Sequence, residues 1–310
     1  MKVQIKIKSV NISTEKGTIK DPVESIELTS TGIKADAHSG KWHRQISLLG
    51  WESVVSFGEL HKREFKFGEF AENITTEGKA LFHMRPLDRL YNDTLDLQVT
   101  QIGKKCHGDD CAVFRATGTC VMPKEGIFAR VIKPGTLKAG DELTYEPKIF
   151  QIHVITLSDR VSEGGYKDIS GPTIKESVEM LFSTKGYQCE VHNHVIPDSR
   201  RKLKKLLEKL FNTADLIITT GGTGIGARDI TVDTVQPFLD KEIPGIMDLV
   251  RMKYGMEKPN AVISRSIAGV KRKTLVFCLP GSPKACKEYM TEINQVLFHL
   301  YMMLYGIDAH

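Results

Sequence analysis

Asp215-Leu216-Ile217-Ile218-Thr219-Thr220-Gly221-Gly222-Thr223-Gly224-Ile225-Gly226-Ala227-Arg228-Asp229 reads as a short apolar strand that runs straight into a glycine loop. Asp215–Thr219 is too short for a helix and carries Ile and Thr, so it is taken as a buried strand. Gly221, Gly222 and Gly224 can adopt positive φ and let the backbone approach a ligand closely, and Thr223 adds a hydroxyl. A helix N-terminus after the loop would aim free N–H groups at an anion. The loop lacks the Lys-Ser/Thr of a P-loop and the Gly-x-Gly-x-x-Gly of a dinucleotide fold. Alone it suits a phosphate cradle and a tight strand-to-helix turn equally.

Working outward, strand and helix alternate. Ile149–Leu157 and Tyr187–Ile196 read as strands, and Thr274–Leu279 as another. A helix begins near Pro172 and runs to about Lys185, since proline's missing N–H costs nothing in a first turn. Asp198 or Ser199 can cap a helix over Arg200–Phe211, and Pro283–Leu304 is amphipathic. Such alternation implies a doubly wound, mostly parallel sheet covered on both faces. Ligands then bind beyond the carboxyl ends of the strands. Ser158-Asp159-Arg160, Pro197-Asp198, the glycine loop and Leu279-Pro280-Gly281-Ser282-Pro283 all leave strand ends there. Asp198 and Asp229 are the candidate acids, and carboxylates beside a phosphate site suit Mg²⁺. The competing readings are a helix cap for Asp198 and a first-turn charge for Asp229.

The first half has another rhythm. Val3, Ile5 and Ile7 alternate with polar residues, and short apolar runs recur at Ile46–Leu49, Leu95–Val99 and Ile127–Ile132. Turns at Ser39-Gly40, Lys133-Pro134-Gly135 and Ala139-Gly140-Asp141 separate them, with one helix expected around Gly50–His61. Many short strands and few helices suggest a β-barrel. The seam falls at Glu146-Pro147-Lys148, giving domains over residues 1–147 and 148–310.

Length and composition agree. The 310 residues allow two domains, and 41% hydrophobic with 26% charged residues fits a globular chain. A net charge of +5 is mild, and no nucleic-acid partner is expected. The N-terminus lacks the unbroken apolar stretch of a signal peptide, and no run is long enough to span a membrane. A cytoplasmic setting with reduced thiols is expected. Arg200-Arg201-Lys202-Leu203-Lys204-Lys205 is read as a solvated helix face over a stripe of Leu203, Leu206, Leu207 and Leu210. His192 and His194 alternate on a strand without a thiol or carboxylate partner nearby, which argues against a metal site. Cys106, Cys111 and Cys120 cluster beside His107, at a spacing unlike the common zinc patterns; a reactive thiol or inert thiols fit better.

Ile155–Arg160, Asp168-Ile169-Ser170-Gly171-Pro172, Ile196-Pro197-Asp198, Thr219–Asp229, Glu242-Ile243-Pro244-Gly245 and Leu279–Pro283, in this order, resemble the MogA/MoaB family of molybdopterin adenylyltransferases. The likeness spans residues 150–310. It implies a trimer or larger homo-oligomer through this domain. It also implies Mg²⁺-dependent transfer of AMP from ATP to the terminal phosphate of molybdopterin. Carried over by position, Asp198 and Asp229 match the essential acids that would hold the metal. Gly221, Gly222, Thr223 and Gly224 match the nucleotide and phosphate loop. Ser158, Asp168 and Ser170 match the pterin-side motifs, and Gly281 and Ser282 a second anion loop.

Ala35–Gly40, His43–Leu49, Phe70-Ala71-Glu72-Asn73-Ile74, Gln101–Cys106 and Cys120–Arg130 are similar to the MOSC domain, named for the C-terminal region of molybdenum cofactor sulfurase. That family implies a barrel-like fold that binds the molybdenum cofactor or carries sulfur, with Cys106 as its thiol. Phe70-Ala71-Glu72-Asn73 departs from the commoner Phe-Gly-Glu-Asn, which bears on the local turn. Both halves point to one cofactor. The expected function is an adenylyltransferase fused to a domain that binds or modifies the product; the alternative is a noncatalytic carrier or storage protein.

Overall fold

The computed structural model describes residues 3–104, 114–115 and 118–307. Two compact units divide the chain, Met1–Lys148 and Ile149–His310.

In the first unit, β1 (Val3–Ile12) buries Ile5 and Ile7 and exposes Gln4 and Lys6, as the period-2 pattern requires. It is followed by β2 (Asp21–Val23), β3 (Ser25–Thr29), β4 (Gly32–Ile33), β5 (Ile46–Gly50), β6 (Ile74–Glu77), β7 (Arg89–Tyr91), β8 (Asp96–Ile102), β9 (Ile127–Lys133), β10 (Gly135–Lys138) and β11 (Glu142–Glu146). Among the described residues, seven strands close in the order β11-β7-β8-β9-β5-β6-β1, with β1 pairing back to β11. Closure removes the free edges that an open sheet would leave. β5 and β6 run parallel, so they need a crossover, and α1 (Trp51–His61) lies in it. The barrel is filled by an aliphatic core that includes Ile5, Ile7, Ile46, Leu48, Leu97 and Val99. A short α2 (Met122–Glu125) precedes β9.

The second unit contains β12 (Ile149–Leu157), β13 (Gln188–Ile196), β14 (Leu216–Thr220), β15 (Lys241–Glu242), β16 (Ala268–Lys271) and β17 (Thr274–Leu279). The sheet order is β13-β12-β14-β17-β16-β15. The first four strands are parallel, and β16 and β15 add an antiparallel edge. The helices are α3 (Asp159–Ser162), α4 (Ser170–Lys185), α5 (Arg200–Leu210), α6 (Thr231–Val235), α7 (Pro244–Gly255) and α8 (Pro283–Leu304). Alternate residues of β12 serve opposite faces. Phe150 meets Phe182 of α4 and Tyr301 of α8, with ring centroids 5.0 and 4.8 Å away. Ile155 and Leu157 pack in a core with Leu203, Leu207 and Leu210 of α5. Each of these buried leucines stabilises by about 1.5–3 kcal/mol. The Arg/Lys run thus lies on the outside of a helix whose leucine stripe faces the sheet. Among the described residues, no helix is long and apolar enough to cross a membrane.

Candidate active site

Because β13, β12, β14 and β17 are parallel neighbours, their carboxyl ends lie along one side of the sheet, and the four loops leaving them meet in a cleft. Its cavity of about 650 Å³ is within the size range of small-molecule sites. Ser158, Asp168, Ser170, Asp198, Gly221, Gly222, Asp229, Gly281 and Ser282 all line it.

The acids are held from opposite sides. Ser199, not Asp198, caps α5: its hydroxyl accepts from the Lys202 N–H at 3.4 Å. Asp198 is thereby released to face the loop after β12. Its Oδ2 accepts from the Asp159 N–H at 3.2 Å, and its own N–H donates to Asp159 Oδ1 at 3.0 Å. Burial raises the Asp198 pKa, and the nearby Asp229 carboxylate raises it further. Asp229 precedes α6 rather than sitting in its first turn, and its Oδ2 accepts from the Gly226 N–H at 2.8 Å. The first N–H of the helix that follows the loop is already taken. α6 has five residues, and the N–H of Thr231, its first, already donates to the Gly222 carbonyl at 3.0 Å.

The two glycine loops are bound to each other. Gly221 has φ 100°, and a Cβ there would lie 2.3 Å from the Leu157 carbonyl oxygen; a Cβ on Gly281 would lie 3.3 Å from Gly221 Cα. Thr220 donates its hydroxyl proton to the Pro280 carbonyl, Thr231 to that of Gly221, and Ser170 to that of Gly281, each at 2.7 Å. Thr223 and Gly224 do not line the cleft. The Thr223 hydroxyl lies 3.1 Å from that of Ser264, and Gly224 backs the Asp229 carboxylate, where a Cβ would meet Oδ2 at 2.7 Å.

Several expected ligand-binding residues also have structural tasks. Ser158 caps α3, accepting from the Val161 N–H at 3.3 Å, and Ser282 caps α8, accepting from that of Ala285 at 3.2 Å. Asp168 accepts from the Thr156 hydroxyl at 2.8 Å and the Gly171 N–H at 3.0 Å. The sequence reading passed over Asp159 and Arg228 as site residues, although both line the cleft and form an ion pair across it. A signal was present. Leu157 and Ile196 are register partners, so Asp159 and Asp198 each lie two residues beyond the same rung. Arg160, Tyr166 and Lys167 also line the cleft, with the Arg160 guanidinium 5.9 Å from the centre of the Tyr166 ring.

Among the described residues, no three His, Cys, Asp or Glu side chains form a ready metal cage. The histidines of β13 do find company: His153 Nδ1 lies 3.0 Å from His194 Nε2, and the rings of His153 and His192 stack. Burial first, then the neighbouring histidines, push His153 down to about 4. Cys278 and Cys286 are buried and Cys189 half-buried.

In the first unit two of the quoted motifs, Ala35–Gly40 and Phe70–Ile74, meet at Asp36, which is almost wholly buried. Its Oδ2 accepts from Asn73 Nδ2 at 2.9 Å and forms an ion pair with buried Lys20, and its Oδ1 accepts from the His38 N–H at 2.9 Å. Burial opposes both charges. On Asp36 the hydrogen bonds from His38 and Lys20 outweigh it, and the carboxyl sits well below its usual range. On Lys20 burial prevails and lowers the ammonium pKa. Glu72 is also fully buried and accepts from the Gly68 N–H at 2.7 Å. Ala71 occupies the left-handed region at φ 62°, a conformation that favours glycine. Cys106, Cys111 and His107 lie outside the described residues. Cys120 is half-buried against an apolar cluster that includes Val121 and Phe128.

Residues 153–299 match the family described as "Probable molybdopterin binding domain", and residues 35–144 match the MOSC domain. The chain is 37% identical over 158 residues to a molybdopterin adenylyltransferase of Helicobacter pylori (strain J99), covering 50% of this chain and 88% of that protein. Against that of Pyrococcus furiosus it is 37% identical over 160 residues, covering 50% and 90%. Against that of Escherichia coli (strain K12) it is 32% identical over 146 residues, covering 46% and 73%. By its C-terminal half this chain belongs to the molybdopterin adenylyltransferase family, and it carries a MOSC domain in its N-terminal half.

Proposed function

We propose that the C-terminal unit works in molybdenum cofactor biosynthesis, transferring AMP from ATP to the terminal phosphate of molybdopterin. The observation that carries this reading is the pairing of two acids, Asp198 and Asp229, in one cleft with two interlocked glycine loops. An oxygen of the molybdopterin phosphate attacks the α-phosphorus of ATP; the bond to the β-phosphate oxygen breaks, and pyrophosphate leaves. Positioning and charge neutralisation supply most of the catalysis for such a transfer.

The donor set fits Mg²⁺. Asp229 beside Asp198 leaves two carboxylates facing one cleft, which favours a cation between them, and Mg²⁺ is commonly held by one or two carboxylates with substrate phosphates completing the shell. Asp198 and Asp229 would hold it, and it would neutralise developing phosphate charge. Gly221 and Gly281 permit close approach of the phosphates to the backbone. Thr220, Thr231 and Ser170 fix the two loops relative to each other. Arg160 and Lys167 supply further positive charge at the cleft.

Asp229→Ala is expected to keep pterin binding and to lose pyrophosphate release by about 10²-fold or more. An unchanged rate would remove Asp229 from the mechanism. The noncatalytic carrier is the rival reading, and it has no need of both acids. We assign the MOSC domain the binding or modification of the cofactor, with Cys106 as its thiol. Cys106→Ser should weaken cofactor capture; an equal loss in Cys111→Ser or Cys120→Ser would favour a multi-thiol site. A homo-oligomer, the assembly the resemblance implies, would have exposed apolar side chains to cover on α7, where Met252 is 72% accessible. Light scattering of the full chain tests that assembly.

A further inference from the structure

We propose that Arg228 is a charge-switching residue: in the free cleft it neutralises Asp159, and when ATP binds it moves onto the polyphosphate and leaves Asp159 facing the cation. This rests on the reading of the cleft as an ATP site with a divalent cation between Asp198 and Asp229.

Four observations support the switch. First, Arg228, on the loop after β14, and Asp159, at the start of α3, both line the cavity and are paired there. Second, Asp159 and Asp198 are joined by reciprocal N–H to carboxylate bonds of 3.2 and 3.0 Å, so a charge held at Asp159 is felt at Asp198. Third, the Arg228 backbone is anchored, its carbonyl accepting from the Ile230 N–H at 3.0 Å, while its side chain is held only by an accessible ion pair. Asp229 next to it accepts from the Gly226 N–H, and a Cβ on Gly224 or Gly226 would press on the Asp229 carboxylate at 2.7 or 3.1 Å. The Arg228 side chain itself is 68% accessible, and that of Asp159 31%. Fourth, the next acid along the chain, Asp233, is already paired with Arg265 and Arg200.

An accessible ion pair of this kind is weak and exchanges readily. A polyphosphate carries several charges and accepts a guanidinium through two oxygens, so it outcompetes a single carboxylate. Two opposite consequences follow for one side chain. Without ATP, Arg228 repels a cation from the acids. With ATP, it strengthens nucleotide binding.

The test uses the full chain and two probes, Mn²⁺ alone followed by electron paramagnetic resonance, and ATP followed by calorimetry. Arg228→Gln should bind Mn²⁺ about threefold to tenfold more tightly than the wild type and ATP about tenfold more weakly, with Arg228→Lys between them on both axes. Arg228→Gln with unchanged or weaker Mn²⁺ binding overturns the switch while leaving the cleft reading intact. Failure of the wild type to take up Mn²⁺ even with ATP overturns the cleft reading, and the switch with it. The opposed shifts separate this role from a structural one, which would move both affinities the same way.

Discussion

Asp36 in the first unit and Asp198 in the second are both loop carboxylates, yet their surroundings push them in opposite directions. Asp36 is buried and completed by its own chain: Lys20, Asn73 and the His38 N–H meet it, and its pKa falls. Asp198 is part-buried and left beside another acid, and its pKa rises. The first arrangement is a finished structural network. The second has surplus negative charge, which a cation from outside would complete. In this pair it is the partners around each carboxyl that separate a completed network from one with room for a ligand.

The largest effect expected is on the finished network. Asp36→Asn removes the ion-pair partner of buried Lys20, which should cost about 3–5 kcal/mol. Urea unfolding followed by tryptophan fluorescence reads this directly, since both tryptophans, Trp42 and Trp51, lie in that unit. A loss below about 1 kcal/mol would mean the pair is not what holds the network. Asp198→Asn should do the reverse. Adenylylation should fall by about 10²-fold, while stability in urea is retained, because an amide carries no charge against Asp229. Marked unfolding of that variant would make Asp198 a structural residue like Asp36.

A smaller effect tests the turn beside the network. Ala71 sits at φ 62°, so Ala71→Gly should stabilise the first unit by about 1 kcal/mol, after subtracting glycine's entropy in the unfolded chain. An unchanged urea midpoint would argue against the left-handed turn.

The smallest effect is the pH dependence, and it too should differ between the units. Asp36 is depressed in the fold, so its stabilisation is present above its ordinary value of 3.8 and is lost as pH falls below that toward the folded value. Asp198 is raised, so its proton stabilises the fold at low pH and that contribution is lost as pH rises through the folded value. Cation uptake by the cleft needs the ionised form and should weaken on acidification already above the usual carboxylate range. Mn²⁺ binding and tryptophan fluorescence across one acid titration should therefore fail in that order; simultaneous failure would contradict the contrast.

Much of this was legible in the residues. Long apolar strands announce themselves, and Thr219–Asp229 could hardly be anything but a strand end and a glycine loop. Other features were written elsewhere than in local pattern. β15 is two exposed residues, Lys241 and Glu242, and is a strand only because Val270 and Gly269 pair with it. The barrel closes through pairs such as Gln4 with Thr144, far apart in sequence. At the site, cap and acid were indistinguishable for Asp198 until Ser199 took the cap. Asp159 stood out only as part of a loop leaving a strand, and its bond to Asp198 depends on β12 and β13 being neighbours. Ser158, Asp168 and Ser282 matched ligand motifs, but each also supports a helix start, a role the motif alone does not show.

The central claim is that the cleft transfers AMP rather than merely holding a pterin. Incubating the full chain with molybdopterin, Mg²⁺ and ATP labelled at the α-phosphorus tests it most directly. The account predicts label on the pterin phosphate and an equal amount of pyrophosphate. Tight pterin binding with neither label transfer nor pyrophosphate would contradict it and leave the carrier reading in its place.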